Sequence, residues 1–414
     1  MASDRTLLVT ITGRDRPGVT AALFDALTGS APAHDPVEVV DVEQVVIRGR
    51  LVLGVLVAPG SEEAGLRAAV AACAHELGMD AEIASGTGDN LPRRSGRLHV
   101  TVLGHPLRTA AMAGVAARIA ECGANIDRIM RLSRQPVTSL ELDISGAENT
   151  EALRLALAAE ASARGVDIAV HPAGLHRRGK RLVVMDVDST LIQGEVIELL
   201  ADHAGHGEQV AAITEAAMRG ELDFEQSLRA RVALLEGLDA GVIDQVRAAV
   251  RLTPGARTLI RTLKRLDHEV AIVSGGFTQI TDGLVDELGL DYAAANTLEI
   301  VDGKLTGQVV GPVVDRAFKA RALEQFASLA GVPLAQTVAI GDGANDLDML
   351  AKAGLGVAFN AKPMVRKQAQ AAINVPYLDA LLFLLGISRE EVEAADENDP
   401  DLAATGSIRL PPAR

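Results

Sequence analysis

The chain has 414 residues, 48% of them hydrophobic, with a formal charge of −15 and no tryptophan. This is globular material for two or three domains rather than a disordered chain, and a polyanion such as nucleic acid would be repelled at long range. A small phosphorylated molecule is still admissible, because a metal or a local group of cations can reverse the sign inside a cleft.

Residues 6–13, TLLVTITG, read as a strand ending at Gly13. After Pro17 and Gly18, residues Val19, Leu23, Phe24 and Leu27 recur at helical spacing. Strand-like runs at 37–47 and 50–57 are joined by Arg48 and Gly49, and a helix at 62–77 and a short run at Asp80–Ile83 complete a β-α-β-β-α-β unit over residues 1–88. The order then repeats over 97–174. RLHVTVLG places Thr101 and Gly104 where TLLVTITG has Thr10 and Gly13; a helix at Thr109–Cys122, two strands, a helix near Asn149–Arg164 and VDIAVHP follow. The polar, Gly- and Pro-containing stretch 84–96 links the copies.

From Arg181 strands alternate with helices: RLVVMDV, HEVAIVSGG, TVAIGDG, and the shorter LGVAF and AAINV. That alternation predicts a parallel sheet covered on both faces over 180–396. Mostly helical sequence between the first two strands is too long for one crossover and reads as an inserted cap at about 196–253. The acidic, then Pro-rich sequence from Glu390 reads as poorly ordered, with 397–414 a flexible tail. Cys73 and Cys122 form no disulfide framework, and the N-terminus shows no secretory apolar core. No apolar run reaches the ~20 residues of a membrane helix. The expectation is a cytoplasmic protein with neither a membrane nor a nucleic-acid partner.

Three strands end in polar, Gly-rich sequence: DVDST, SGGFT and GDGANDLDML. In an open parallel sheet such ends line the ligand crevice. Side by side they would collect Asp186, Asp188, Asp342 and Asp346 with Ser274, Asn345 and the N–H groups of Gly275 and Gly276. So many carboxylates share a small cleft only with positive charge among them, and oxygen ligands of this kind suit Mg²⁺. Lys319 is the candidate cation from the chain itself. Each of these motifs alone is commonly a turn, a cap or a solvated helix residue; their joint order favours phosphoryl chemistry.

Together the four motifs resemble those of the haloacid dehalogenase superfamily of phosphohydrolases. The resemblance implies a haloacid dehalogenase-like (Rossmann-type) α/β fold with a helical cap. It implies Asp186 as nucleophile and Asp188 as general acid and base. Mg²⁺ would be held by Asp186, the backbone carbonyl of Asp188, and Asp342. Ser274, Gly275 and Lys319 would grip the phosphoryl group, with Asn345 and Asp346 supporting. LIQGEVIELLADHAG and AAMRGELDFEQSLRARVALLEGL are similar to the branch acting on O-phospho-L-serine. That similarity gives Glu195 to the substrate ammonium, Arg231 to its carboxylate and Met218 and Phe224 to an apolar wall. The two front units resemble ACT domains, which are α+β ferredoxin-like. GRDRPGV implies a possible effector site at Asp15, Arg16 and Gly18, with L-serine as the candidate effector and a homodimer as the expected assembly. Other phosphorylated metabolites, protein phosphoserine, or an amino-acid-binding regulator with a vestigial phosphatase domain are the competing readings.

Overall fold

The structure, a computed structural model, describes residues 5–88, 96–174, 179, 181–218, 221 and 223–399. The chain divides into two compact units, Met1–Pro92 and Arg93–Arg414. The first contains β1 (Arg5–Arg14), α1 (Val19–Gly29), β2 (Glu38–Ile47), β3 (Arg50–Ala58), α2 (Glu63–Leu77) and β4 (Asp80–Thr87). The strands form an antiparallel sheet in the order β2-β3-β1-β4. Arg48 and Gly49 both take positive φ, 51° and 77°, as a two-residue hairpin turn matching the strand twist requires. Alternation sends Leu7, Val9, Ile11, Leu53, Val55 and Val57 to one face, where they pack with Leu23, Leu66 and Val70. The other face stays open: Leu8 is 43% and Val52 41% exposed.

The second unit begins with the same arrangement: β5 (Leu98–Gly104), α3 (Thr109–Glu121), β6 (Asn125–Ser133), β7 (Thr138–Ser145), α4 (Thr150–Arg164) and β8 (Asp167–Pro172). Its sheet order, β6-β7-β5-β8, repeats the first. Val100, Val102, Leu142 and Ile144 form the core with Val115 and Leu157 of the helices. Here the opposite face is covered as well. Thr101 and Ser139 are fully buried, and Leu103, Leu132, Val137 and Ala169 join a core shared with Leu384 and Val392 near the end of the chain.

The rest of that unit follows as β9 (Leu182–Met185), α5 (Val196–Ala204), α6 (Gly207–Met218), α7 (Phe224–Ala233), α8 (Val242–Ala249), α9 (Ala256–Arg265), β10 (Glu269–Phe277), α10 (Thr278–Leu288), β11 (Tyr292–Val301) and β12 (Lys304–Val310). Then come α11 (Arg316–Ala330), β13 (Thr337–Gly341), α12 (Leu347–Lys352), β14 (Leu355–Phe359), α13 (Pro363–Gln368), β15 (Ala371–Ile373), α14 (Leu381–Leu384) and α15 (Arg389–Glu397). Seven strands form one sheet, β12-β11-β10-β9-β13-β14-β15. All pairs are parallel except β11–β12, a hairpin closed at Asp302 and Gly303 with φ of 49° and 75°. Every residue of β9 is buried, as a strand covered on both faces must be. The sheet grows from β9 toward β10 on one side and β13 on the other, so the chain reverses direction of growth there. That is where a parallel sheet opens a crevice at its carboxyl edge.

Order extends into the acidic tail expected to lack it. Ser388 and Glu391 cap α15 reciprocally, Val392 is 3% exposed, and Asp396 receives Arg261 and Arg265 from α9. One face of this acidic helix is therefore apolar or paired, which its net charge conceals. Residues 400–414, most of the expected flexible tail, lie outside the described residues. Among the described residues no helix is long and apolar enough to cross a membrane. Ser388→Ala, which removes the cap, should lower stability by about 1 kcal/mol, read as a lower urea midpoint at unchanged m-value.

Candidate active site

The strand register assembles the site. Met185 of β9 lies opposite Ile272 of β10 and Ile340 of β13, so the residues that follow these three emerge together at the carboxyl edge. Asp186 is first, its N–H donating to the Ile340 carbonyl at 2.9 Å. A tight turn follows, with Ser189 at φ 57°, and folds Asp188 back over the strand end. One Asp188 oxygen accepts the Val196 N–H at 2.8 Å and the other the Ser274 hydroxyl at 3.2 Å. The Gly276 N–H in turn donates to Ser274 Oγ at 2.7 Å. A Cβ at Gly276 would stand 2.9 Å from both Asp188 and Ser274, so only glycine lets the turn come this close.

Lys319, on α11, lies beneath these carboxylates and is fully buried. Its Nζ donates to Asp186 at 2.6 Å and to Asp346 at 2.7 Å. The second Asp346 oxygen accepts the Gly343 N–H at 2.9 Å, so both oxygens of this side chain are engaged. Gly341 makes room for it, since a Cβ there would lie 2.3 Å from Asp346 Cγ. Asp342 takes the Thr190 hydroxyl at 3.2 Å. Oxygens of Asp186, Asp342 and Asp346 lie within 4.8 Å of one another, close enough to hold a metal ion. With Asp346 committed to Lys319 and Gly343, Asp186 and Asp342 are the side chains with oxygens to offer. An all-oxygen set of this kind suits a hard divalent cation.

Burial and crowding set the charges. Burial, then the Asp346 carboxylate, raises the pKa of Asp186 well above the usual range, and Lys319 opposes that rise. Burial also raises Asp188, against the hydrogen bond from Val196. Asp342 is pushed up to about 6, first by burial and then by Asp346. Burial alone would lower Lys319, but the charges of Asp186 and Asp346 reverse the effect and hold the ammonium protonated. With four carboxyl groups and one ammonium the pocket is short of positive charge, and a divalent cation would reduce the shortfall.

A cavity of about 590 Å³ opens above, lined among others by Asp186, Asp188, Glu195, Phe224, Arg231 and Asn345. Asp223 caps α7 with Gln226 and fixes its first turn. Phe224 there sits over the Ser274–Gly276 turn, so near that a Cβ on Gly275 would be 3.1 Å from its ring. Arg231, further along α7, lies 3.6 Å from Glu195 at the start of α5. Burial raises the pKa of Glu195, and Arg231 opposes the shift. Met218 ends α6, and its side chain lies outside the described residues. One residue escaped the sequence reading. Asn296 of β11 is 1% exposed; it donates to the Gly275 carbonyl at 2.8 Å and accepts the Val314 N–H at 2.8 Å, tying the SGG turn to the segment that leads into α11. An amide inside the apolar run YAAANTLEIV was its signal.

Asp15, Arg16 and Gly18 lie together on the exposed turn between β1 and α1. Asp15 N–H donates to the Gly49 carbonyl at 2.8 Å, Arg16 donates to the Leu77 carbonyl at the end of α2, and Gly18 has φ 94°. Arg16 thus closes a helix end.

Residues 183–351 match the haloacid dehalogenase-like hydrolases, and residues 5–84 and 98–171 each match an ACT domain. A phosphoserine phosphatase of Streptomyces coelicolor is 67% identical over 399 residues, covering 96% of each chain. One from Mycobacterium tuberculosis is 54% identical over 405 residues, covering 96% of this chain and 97% of the other. The crystal structure of a probable phosphoserine phosphatase from Vibrio cholerae, in unliganded form, superposes with a TM-score of 0.56 at 38% identity, over 73% of this chain and 89% of that one.

The Asp342 shift has a signed consequence. Its carboxyl holds a proton in the folded chain up to about pH 6 but in the unfolded chain only to near 3.8, the ordinary aspartate value. Stability from this group is therefore present at pH 4 and lost as pH rises through 6. In protein treated with a chelator, melting temperature should fall over that window. Asp342→Asn should flatten this part of the profile, and added Mg²⁺ should raise the melting temperature more at pH 7.5 than at pH 5.

Proposed function

As the chain belongs to the phosphoserine phosphatase family, we propose that it hydrolyses O-phospho-L-serine to L-serine and phosphate through an aspartyl-phosphate on Asp186. The observation that carries this reading is the Arg231–Glu195 pair facing the same cavity as the aspartates. A guanidinium and a carboxylate on one wall complement the carboxylate and ammonium of an amino acid, while Asp186 and Asp188 meet its phosphate ester.

Asp186 attacks phosphorus in line with the serine oxygen, and the P–O bond to serine breaks. Asp188 gives its proton to the departing oxygen. Burial raises its pKa, which favours the protonated form that this step uses. In the second half-reaction Asp188 takes a proton from water, the water oxygen attacks phosphorus, and the Asp186 carboxylate is released with phosphate. Ser274, the Gly275 N–H and Lys319 hold the phosphoryl oxygens, supported by Asn345 and Asp346, while Phe224 forms the apolar lid. Asp186, the Asp188 carbonyl and Asp342 would hold Mg²⁺, which would supply charge neutralisation.

The two ACT domains carry amino-acid control of this activity, with L-serine the candidate effector. A homodimer forms through the first of them; the exposed valines of β2, an edge strand, support that assembly, with Val39 51% and Val45 49% exposed. The free thiols Cys73 and Cys122 suit a reducing cytoplasm.

Asp186→Asn should abolish phosphate release from O-phosphoserine while leaving the circular dichroism spectrum close to wild type. Full activity in that variant would remove Asp186 as the nucleophile. Arg231→Ala should raise KM for O-phosphoserine at least tenfold and change KM for p-nitrophenyl phosphate less than threefold. Equal changes would deny it the carboxylate.

A further inference from the structure

Helix α7 carries Arg231 and is fastened to the sheet at both ends. At its start Phe224 lies against Gly275 of β10, close enough that a Cβ there would be 3.1 Å from the ring. Past its end, the loop 234–241 pairs with the free edge of β12, the end strand of the seven-stranded sheet. The Gly237 N–H donates to the Leu305 carbonyl at 2.8 Å, the Leu305 N–H to the Leu238 carbonyl at 2.9 Å, and the Ala240 N–H to the Gly303 carbonyl at 2.8 Å. Asp239 and Lys304 form an antiparallel bridge among these bonds. The unpaired N–H and C=O groups of an edge strand are what make such pairing favourable. Val232 and Leu235 add apolar contact, in one cluster with Leu298, Leu305 and Val309.

Gly307 decides how near the helix end can come. It lies in β12 with φ 79°, and a Cβ on it would be 3.1 Å from Glu236 Cβ, 3.2 Å from the Ala233 carbonyl oxygen and 3.3 Å from Ala233 Cα. Ala233 is the last residue of α7, two beyond Arg231. A side chain at 307 would therefore push this end outward by a few tenths of an ångström and carry the guanidinium with it.

The two ends of a substrate meet different parts of this frame. Its phosphate is received where β9, β10 and β13 end, and its carboxylate by Arg231. With α7 pinned to β10 and β12 of that same sheet, the fold sets the separation of the two receivers. Arg231 is itself held, its side chain 11% exposed and its Nε donating to the Ser227 carbonyl at 3.3 Å. A receiver that cannot follow the ligand discriminates by length, and one methylene too many is worth roughly 10- to 200-fold in kcat/KM.

We propose that Gly307 and the pairing of β12 with the loop after α7 make the site a ruler. Arg231 is placed so that one methylene between the α-carbon and the ester oxygen fits, and two do not. Gly307 is a positioning residue, acting through Arg231. The proposal rests on the O-phosphoserine reading and adds to it the element that sets substrate length.

The test compares kcat and KM of wild type, Gly307→Ala and Gly311→Ala on O-phospho-L-serine, O-phospho-L-homoserine and p-nitrophenyl phosphate. Gly311 also has φ 79°, but a Cβ on it meets nothing within 4 Å, so that variant reproduces the backbone strain without the contact. Wild type should favour the serine ester over the homoserine ester at least tenfold in kcat/KM. Gly307→Ala should narrow that margin at least threefold, chiefly by a higher KM for O-phosphoserine. Its KM for p-nitrophenyl phosphate, which carries no carboxylate, should stay within twofold of wild type. Gly311→Ala should keep the wild-type margin. If Gly307→Ala does not fold, Gly307→Ala with Glu236→Gly is measured in its place with the same expectation; it removes the nearest contact and keeps the two to Ala233. An unchanged margin in the Gly307 variant, equal losses on all three substrates, or the same narrowing in Gly311→Ala overturns the ruler. So does a wild type that takes both amino-acid esters equally. A wild type that hydrolyses p-nitrophenyl phosphate but not O-phosphoserine overturns the substrate reading itself.

Discussion

The buried ammonium of Lys319 is the interaction on which the rest of the phosphatase body depends. It lies between Asp186 and Asp346 with no exposure to solvent, at hydrogen-bond distance from both. A lone charge in such a place would cost several kcal/mol. Paired on two sides, it fixes the end of β9, the loop after β13 and the first half of α11 relative to one another. Its single charge does not neutralise the cluster: burial holds Asp188 and Asp342 above their ordinary pKa values, with the Asp346 carboxylate adding to the rise of Asp342, although Lys319 pulls both down. The pocket is therefore folded with a deficit of positive charge at its mouth, where a metal and a phosphate can meet it.

Asp186, Asp188, Ser274 and Asp342 were legible because each lies within three residues of the end of a buried parallel strand, and such ends are marked by abrupt changes from apolar to polar sequence. DVDST, SGG and GDGAND need no tertiary information beyond the expectation that parallel strands end on one side. Lys319 was found by charge balance, not by local pattern. The cap was legible as excess length between two strands, and Arg231 and Glu195 through resemblance. The β11–β12 hairpin was overlooked although Asp302-Gly303 between apolar runs announces it; the surrounding strand–helix alternation had suggested parallel pairing throughout. The tail was misread because composition averages over a helix whose Val392 face is buried and whose acids meet Arg261 and Arg265. Asn296 and the contact of α7 with β12 depend on what lies across the sheet, and a linear reading carries no such information.

The site is also built from two kinds of element. Asp186, Ser274, Lys319 and Asp346 are all buried and bonded within the sheet edge. Glu195, Phe224 and Arg231 come instead from the helices between β9 and β10, and the Arg231–Glu195 separation of 3.6 Å is longer than the bonds below it. The floor of the cavity is thus built from sheet-edge residues, and its upper wall from helices inserted between two strands.

Two copies of one β-α-β-β-α-β plan have come to differ in what lies behind the sheet. In the first, Leu8 and Val52 face outward and the core closes within the unit. In the second, Leu103, Leu132, Val137 and Ala169 belong to the same apolar cluster as Leu384 and Val392. Duplicate modules are usually thought of as interchangeable, but these two are not. The second has become a wall of the enzyme, so its removal would expose the phosphatase core, while the first keeps the self-sufficiency of an attachment. A lineage could lose, replace or multiply the first copy by recombination in the linker and still make a folded phosphatase. The second can change only in concert with the catalytic body.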